Sequence, residues 1–322
     1  QSSARYSPSN QLPYIEEYGN GQHLLPMCPD TDIWSTQVEQ IVERLVDDIG
    51  VAGVYLDQIS ASGPRLCFDP DHNHPLGGGA YGVQAYQRLL ATLVDQLQAD
   101  ESMAALTSES NAEPYLGSLS GNLMFQSPEA EDIPLFPTIY GEYALRFGRV
   151  FEEADIGNDL FSAKVAQMFS YGVQLGWFTN TIMKKLLADE QIEKRKYLFE
   201  TALVLEEHWE YIAAGRRLRA ATPPTEMEAV EHPETQKSIY PVVVVPWEHP
   251  KQGQLGVSVT NWTDKDQSGS WRLNHEGFVS PKSKLKLDSE ISLNSSYRVE
   301  GDELILTMTV PAKSTSFIEI SN

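Results

Sequence analysis

Between residues 22 and 180, short apolar runs alternate with stretches whose hydrophobic positions recur every three to four residues. The run His23-Leu24-Leu25-Pro26-Met27-Cys28 reads as a strand. Asp32-Ile33-Trp34 then opens a helix, with Val38, Ile41, Val42, Leu45, Val46 and Ile49 on one face and Gly50 as its stop. Residues 51–57 form the next strand. Residues 80–99 form the next helix, with Tyr86, Leu89, Leu90, Leu93, Val94 and Leu97 along one side. Further strands are expected at 103–106, 123–125, 135–140 and 171–178. A long helical tract follows over 184–219, its apolar positions including Leu186, Ile192, Tyr197, Leu198, Leu205, Trp209 and Ile212. Strands that alternate with helices predict a parallel sheet covered by helices.

The period changes after Thr222-Pro223-Pro224-Thr225, which reads as a linker. Beyond it, alternating segments at 242–245, 255–260, 270–273, 284–287, 297–299, 304–310 and 316–320 predict a small antiparallel β-sandwich. The expected organisation is a (β/α)8 TIM-type barrel over residues 1–221 and the sandwich over 222–322. Such a barrel needs eight strand–helix units and typically about 250 residues, and only about six strands precede the long helical tract. Residues 1–21, rich in Ser, Pro, Asn, Gly and Tyr, have no strand pattern. Either residues 1–21 hold strands that this pattern does not reveal, or, as the preferred reading, the first strands lie outside this chain, in a preceding part of the polypeptide or in a second one.

Composition narrows the chemistry. With 24 basic against 45 acidic residues and a net charge of −21, the chain lacks the Lys/Arg footprint that a phosphate backbone requires, and a neutral polar ligand fits better. There is no run of eighteen apolar residues to span a bilayer. Cys28 and Cys67 are the two cysteines, either bridged or independent thiols, and they make no disulfide framework. Residues 1–5 carry no apolar signal core, and a secreted or periplasmic location is favoured over a cytoplasmic one.

Two of the predicted strands end on a carboxylate, Val51-Ala52-Gly53-Val54-Tyr55-Leu56-Asp57 and Ala104-Ala105-Leu106-Thr107-Ser108-Glu109. In parallel α/β folds that end of a strand faces the active-site mouth. Cleavage of a glycosidic bond needs one acid to protonate the leaving oxygen and one carboxylate to stabilise or trap the oxocarbenium-like centre. The structural alternatives are a helix cap or salt-bridge partner for Asp57 and a loop acid or arginine partner for Glu109. Glu113, four residues on, competes for the acid role or sits at a helix start favoured by the macrodipole.

The segment from Gly53 through Asp57-Gln58-Ile59-Ser60, the loop Cys67-Phe68-Asp69-Pro70-Asp71-His72-Asn73-His74-Pro75, the glycines 77–79 and Thr107-Ser108-Glu109-Ser110-Asn111-Ala112-Glu113-Pro114-Tyr115 resemble a family of glycoside-hydrolase-like barrel proteins. The resemblance covers roughly residues 22–180 and extends to the wider set of retaining α-glycoside-cleaving barrels. It implies that Asp57 is the nucleophile and Glu109 the general acid/base of an O-glycoside hydrolase acting with retention. Retention needs carboxyl groups about 5–5.5 Å apart, whereas about 6.5–9.5 Å indicates inversion.

Candidate sugar contacts are Asp30, Gln58, His72, His74, Glu113, Tyr140, Glu142 and Trp177. Asp30 has the alternative of capping the helix that follows, and the aromatics have the alternative of core positions. The loop 69–74, with two acids and two imidazoles, supports a rival reading as a metal-dependent hydrolase, but no second His or Cys cluster in the sequence completes a four-ligand set. A catalytically silent carbohydrate-binding barrel is the other rival. The reading assigns no metal and no cofactor. Asn261-Trp262-Thr263 and Asn294-Ser295-Ser296 are formal glycosylation sequons.

Overall fold

The computed structural model describes residues 4–7, 12–17, 19–61, 65–99, 103–124, 134–148, 151–231, 238–251, 253–275, 277–280, 283–287 and 296–321. The chain forms two compact units, Gln1–Asn122 and Leu123–Asn322. No helix among the described residues is long and apolar enough to cross a membrane.

In the first unit β1 (Glu16–Glu17) and β2 (His23–Leu24) form a short antiparallel pair. The expected strand over 23–28 stops there, because Pro26 has no N–H to give to a ladder. Helix α1 (Asp32–Glu43) follows and passes into a π-helical turn over Arg44–Asp48, which Gly50, at φ +78°, terminates. Strand β3 (Gly53–Leu56), helix α2 (Tyr81–Ala99) and strand β4 (Ala105–Glu109) complete a right-sized βαβ unit. β3 and β4 pair in parallel, Tyr55 opposite Thr107 and Leu56 opposite Ser108. Gly53 permits the close approach at the start of this ladder, since a Cβ there would lie 3.2 Å from the Ala105 carbonyl oxygen.

Leu89, Leu90, Leu93 and Leu97 of α2 pack with Val42, Val54, Leu106 and Tyr115 in one core. Each such buried side chain contributes about 1.5–3 kcal/mol. The chain enters β5 (Gly121–Leu123), within which the unit boundary falls, with the Ser120 N–H donating to Leu106 O at 2.8 Å.

The second unit begins with α3 (Leu135–Tyr140), where a strand was expected. Pro137 sits in the first turn of this helix, the position where a missing N–H costs nothing, so the β-branched Thr138 and Ile139 mislead. β6 (Leu145–Phe147) pairs in parallel with β7 (Val173–Gln174). The strand expected over 171–178 shrinks to two residues because Gly172 and Gly176 adopt φ +66° and +139°.

Between these strands lie α4 (Glu153–Ile156) and α5 (Leu160–Ser170). Every residue of α5 is buried, the mark of a helix enclosed on all sides. The tract predicted over 184–219 is α6 (Asn180–Leu186), α7 (Ile192–Glu207) and α8 (Trp209–Ile212), followed by β8 (Arg216–Arg217).

β9 (Val230–Glu231) and β10 (Ser238–Ile239) pair with each other. All seven strands expected beyond the linker are present: β11 (Val242–Glu248), β12 (Leu255–Asn261), β13 (Gln267–Asn274), β14 (Lys284–Leu287), β15 (Ser296–Glu300), β16 (Glu303–Val310) and β17 (Ser314–Ser321). They form antiparallel sheets in the orders β14-β17-β12-β11-β8 and β13-β16-β15. Val244, Val257, Val259 and Ile318 from the first share a core with Trp271, Leu304, Leu306 and Met308 from the second. Helix α7 is tied to the larger sheet by buried hydroxyls: Tyr197 Oη to Thr260 Oγ1 at 2.6 Å and Thr201 Oγ1 to Thr315 Oγ1 at 2.8 Å.

Candidate active site

Side chains alternate across a strand, so Tyr55 shares a face with Asp57 and Thr107 shares one with Glu109. The parallel register sets Tyr55 opposite Thr107. One step of two residues along each strand puts Asp57 beside Glu109, at neighbouring-strand separation of about 4.8 Å between backbones. Asp57 acts on Glu109 both as a neighbouring charge and as a hydrogen-bond partner, and the Gln58 backbone N–H donates to Glu109. Burial, then the charge of Asp57 and the hydrogen bond with it, hold Glu109 above the ordinary glutamate value, against the opposing effect of the Gln58 N–H. Tyr55, on the same face, is pushed up to about 12 by burial and then by the charges of Asp57 and Glu109.

Both acids stand at sharp exits from their strands. Gln58 and Ser110, the residues directly after Asp57 and Glu109, have φ +62° and +63°. A left-handed conformation at a non-glycine residue is uncommon and clusters at functional sites. Ser108, fully buried, locks the two exits together: its Oγ donates to Leu56 O at 2.7 Å and accepts from the Ser60 N–H at 3.2 Å. A cavity of about 390 Å3 beside β3 is walled by Tyr55, Asp57 and Gln58 with Trp34, Arg65 and Tyr86.

The remaining candidates have surroundings of their own. Asp30 is ion-paired with Arg88 of α2 at 2.5 Å, while Thr31 takes the N-cap position of α1. Glu113 is exposed and opens a one-turn helix, Glu113–Tyr115. Tyr140, Glu142 and Trp177 belong to the second unit. Tyr140 ends α3 with its ring 5.1 Å from that of Phe136, Glu142 is exposed in the following turn, and Trp177 is half-exposed after β7. The sequon asparagine Asn261 is fully buried and its amide donates to the carbonyls of Lys265, Val310 and Pro311, so it is not an accessible acceptor. Asn294 lies outside the described residues.

His72 and His74 are buried and turned towards sulphur: His74 Nε2 lies 3.2 Å from Cys28 Sγ, and His72 Nδ1 lies 3.3 Å from Cys67 Sγ. Both cysteines are unbridged and buried. The sequence reading missed this convergence. Its signal was the spacing Cys67-x4-His72-x-His74, and the fourth member, Cys28, is 39 residues before Cys67.

Residues 2–151 match a family model described as "Domain of unknown function (DUF6259)". A Monosiga brevicollis protein named "Putative glycoside hydrolase 22789" is 34% identical over 181 residues, 54% of this chain and 15% of the relative. A Bacteroides thetaiotaomicron protein named "Putative glycoside hydrolase" is 27% identical over 175 residues, 53% of this chain and 26% of the relative. The chain thus spans a minor part of these relatives' length. Among solved structures, the α-amylase from H.orenii matches with TM-score 0.53 at 11% identity, covering 98% of this chain and 74% of its own. The maltogenic α-amylase AmyB from Thermotoga neapolitana matches with TM-score 0.55 at 9% identity, covering 99% and 72%. At such identities the likeness is one of fold, that of amylase-like barrel enzymes with a C-terminal sheet domain.

Proposed function

We propose that this chain carries the catalytic carboxylates of a retaining O-glycoside hydrolase, with Asp57 as nucleophile and Glu109 as general acid/base. The observation that supports the reading is the placement of the two acids at the ends of adjacent parallel strands, with the charge of Asp57 raising the Glu109 pKa. Glu109, the member with the elevated pKa, is the one suited to hold a proton for the leaving oxygen. Asp57 attacks the anomeric carbon as that bond breaks and forms a glycosyl ester. Glu109 then takes a proton from the water that hydrolyses the ester, which restores both groups. Gln58 is proposed to position Glu109 through its backbone N–H. The names of the curated relatives and the amylase-like fold support a carbohydrate substrate.

The same reading takes residues 1–221 as the C-terminal portion of a (β/α)8 barrel and 222–322 as a β-sandwich. Among the described residues β3 has β4 as its ladder partner. The cavity beside β3 has apolar walls from Leu25, Val38, Ile41, Leu45, Val54 and Leu56. We assign that bed to the preceding barrel strand, from a longer polypeptide or a second one, since a β-edge beside apolar surface calls for a partner.

The test is turnover of a panel of polysaccharides and aryl glycosides by the chain joined to the strands that complete the barrel. Wild type should release product of retained configuration, followed by NMR. Glu109→Gln should lose about 10²–10⁴-fold on substrates with poor leaving groups. Asp57→Asn should show no turnover while still binding sugar. Full activity in Asp57→Asn, or product of inverted configuration, overturns the assignment.

A further inference from the structure

We infer that Cys28, Cys67, His72 and His74 form a closed, tetrahedral zinc site that staples the first unit. Their four ligand atoms all lie within 4.8 Å of one another, with both cysteines fully buried and both histidines 8% exposed. In a zinc tetrahedron with Zn–N of about 2.0–2.1 Å and Zn–S of about 2.3 Å, neighbouring N and S atoms stand about 3.5 Å apart. The two N–S distances here, 3.2 and 3.3 Å, need little adjustment to accept the ion.

The outer ring nitrogens strengthen the assignment. His74 Nδ1 lies 2.8 Å from Pro75 O, a carbonyl that only accepts, so this nitrogen carries the proton and Nε2 turns a lone pair towards Cys28. His72 Nε2 lies 3.4 Å from Asp69 Oδ2, which likewise draws the proton outward and leaves the Nδ1 lone pair towards Cys67. A carboxylate and a backbone carbonyl behind the two imidazoles are the outer partners that metal-bound histidines have. Asp69 is itself held, its Oδ1 accepting from the Asp71 N–H at 2.9 Å.

The backbone is shaped to match. Cys67 and Gly77 exchange both backbone hydrogen bonds, at 3.0 and 2.7 Å, and close the loop that carries both histidines. Gly77 adopts φ +97°, which a side chain would oppose. Tyr81, at the start of α2, stacks on His74 with ring centres 3.8 Å apart. Buried Arg5 joins the two ligand-bearing segments by donating to Met27 O and Arg65 O.

Two thiolates and two neutral imidazoles form a complete set for zinc and keep no position for water or substrate, so the role is structural, not hydrolytic. Binding releases the two thiol protons to solvent and forms two Zn–S and two Zn–N bonds. The site thereby joins the segment before α1 to the connection between β3 and α2, the connection that begins at Asp57.

The chain purified without a metal-affinity tag should contain about one zinc per molecule by elemental analysis. After chelation, Co2+ should restore thiolate-to-cobalt charge-transfer and tetrahedral ligand-field bands. Cys28→Ser should bind zinc at least a hundredfold more weakly in competition with a chromophoric chelator. His74→Cys, which keeps four ligands, should retain the metal, and Asp69→Asn should weaken it about tenfold. Glu109→Gln should hold zinc unchanged, which separates this site from the acid pair. Wild type that contains no zinc and gives no charge-transfer band with Co2+ overturns the site, as does a Cys28–Cys67 disulfide in the native chain by intact mass.

Discussion

The charge of Asp57 acts on Glu109 and helps to hold its pKa above the ordinary glutamate value. Replacing Asp57 with Asn removes the neighbouring charge, so the Glu109 pKa should move down, read by NMR titration of a side-chain-labelled chain. No movement would mean that burial alone sets its value. The sign for stability follows from the same shift. Glu109 is held above the ordinary glutamate value in the folded chain, so the folded state binds the proton more tightly than the unfolded one. Stability therefore falls as pH rises from the ordinary glutamate range through the elevated folded value. Glu109→Gln should melt above wild type at pH 7, and the two curves should converge below about pH 4. A variant less stable than wild type at neutral pH would count against an uncomfortable ionised Glu109.

At the scale of elements, the two antiparallel sheets that pack around one core in the second unit hold two fully buried tryptophans in different hydrogen-bonding situations. Trp247 on β11 donates its indole N–H to Ser258 Oγ at 2.9 Å, whereas the Trp271 indole N–H on β13 has no hydrogen-bond partner among the described residues. Trp247→Phe loses volume and a hydrogen bond worth about 0.5–1.5 kcal/mol, while Trp271→Phe loses volume and an unsatisfied donor. Chemical denaturation should show the larger loss in Trp247→Phe. A bigger loss in Trp271→Phe would point to a partner for that donor. Gly172 joins α5 to β7 at φ +66°, and a Cβ there would meet Ile212 O at 2.2 Å. Gly172→Ala should cost roughly 2 kcal/mol or more in the same measurement.

At the scale of the whole molecule, the zinc staple lies within the first compact unit, 1–122, and the two-sheet core lies within the second, 123–322. Removing the metal should therefore act unequally. After chelation, hydrogen exchange should speed up for amides of the segments around Cys28 and Cys67 and at the start of α2. The amides of β11, β12, β16 and β17 should keep their protection. Equal loss of protection in both units would show that they stand or fall together.

Period alone was enough to read much of this chain. The seven late strands, α1 and α2, and the strands that end at Asp57 and Glu109 all appear in the structure, because alternation and 3.6-residue spacing are local consequences of which face is buried. Where proline and glycine override periodicity, as at Pro26, Pro137, Gly172 and Gly176, the local reading failed in type or length, since backbone φ and a missing N–H act independently of hydrophobicity. The acid pair was legible because strand ends announce themselves in the sequence, but their side-by-side placement depends on parallel register, a long-range property. The Cys67-x4-His72-x-His74 spacing is visible in the sequence, but its convergence with Cys28 was decided by tertiary structure. The members of this cluster are 46 residues apart from first to last, and only the closed loop at Gly77 and the packing around Tyr81 turn four scattered donors towards one point.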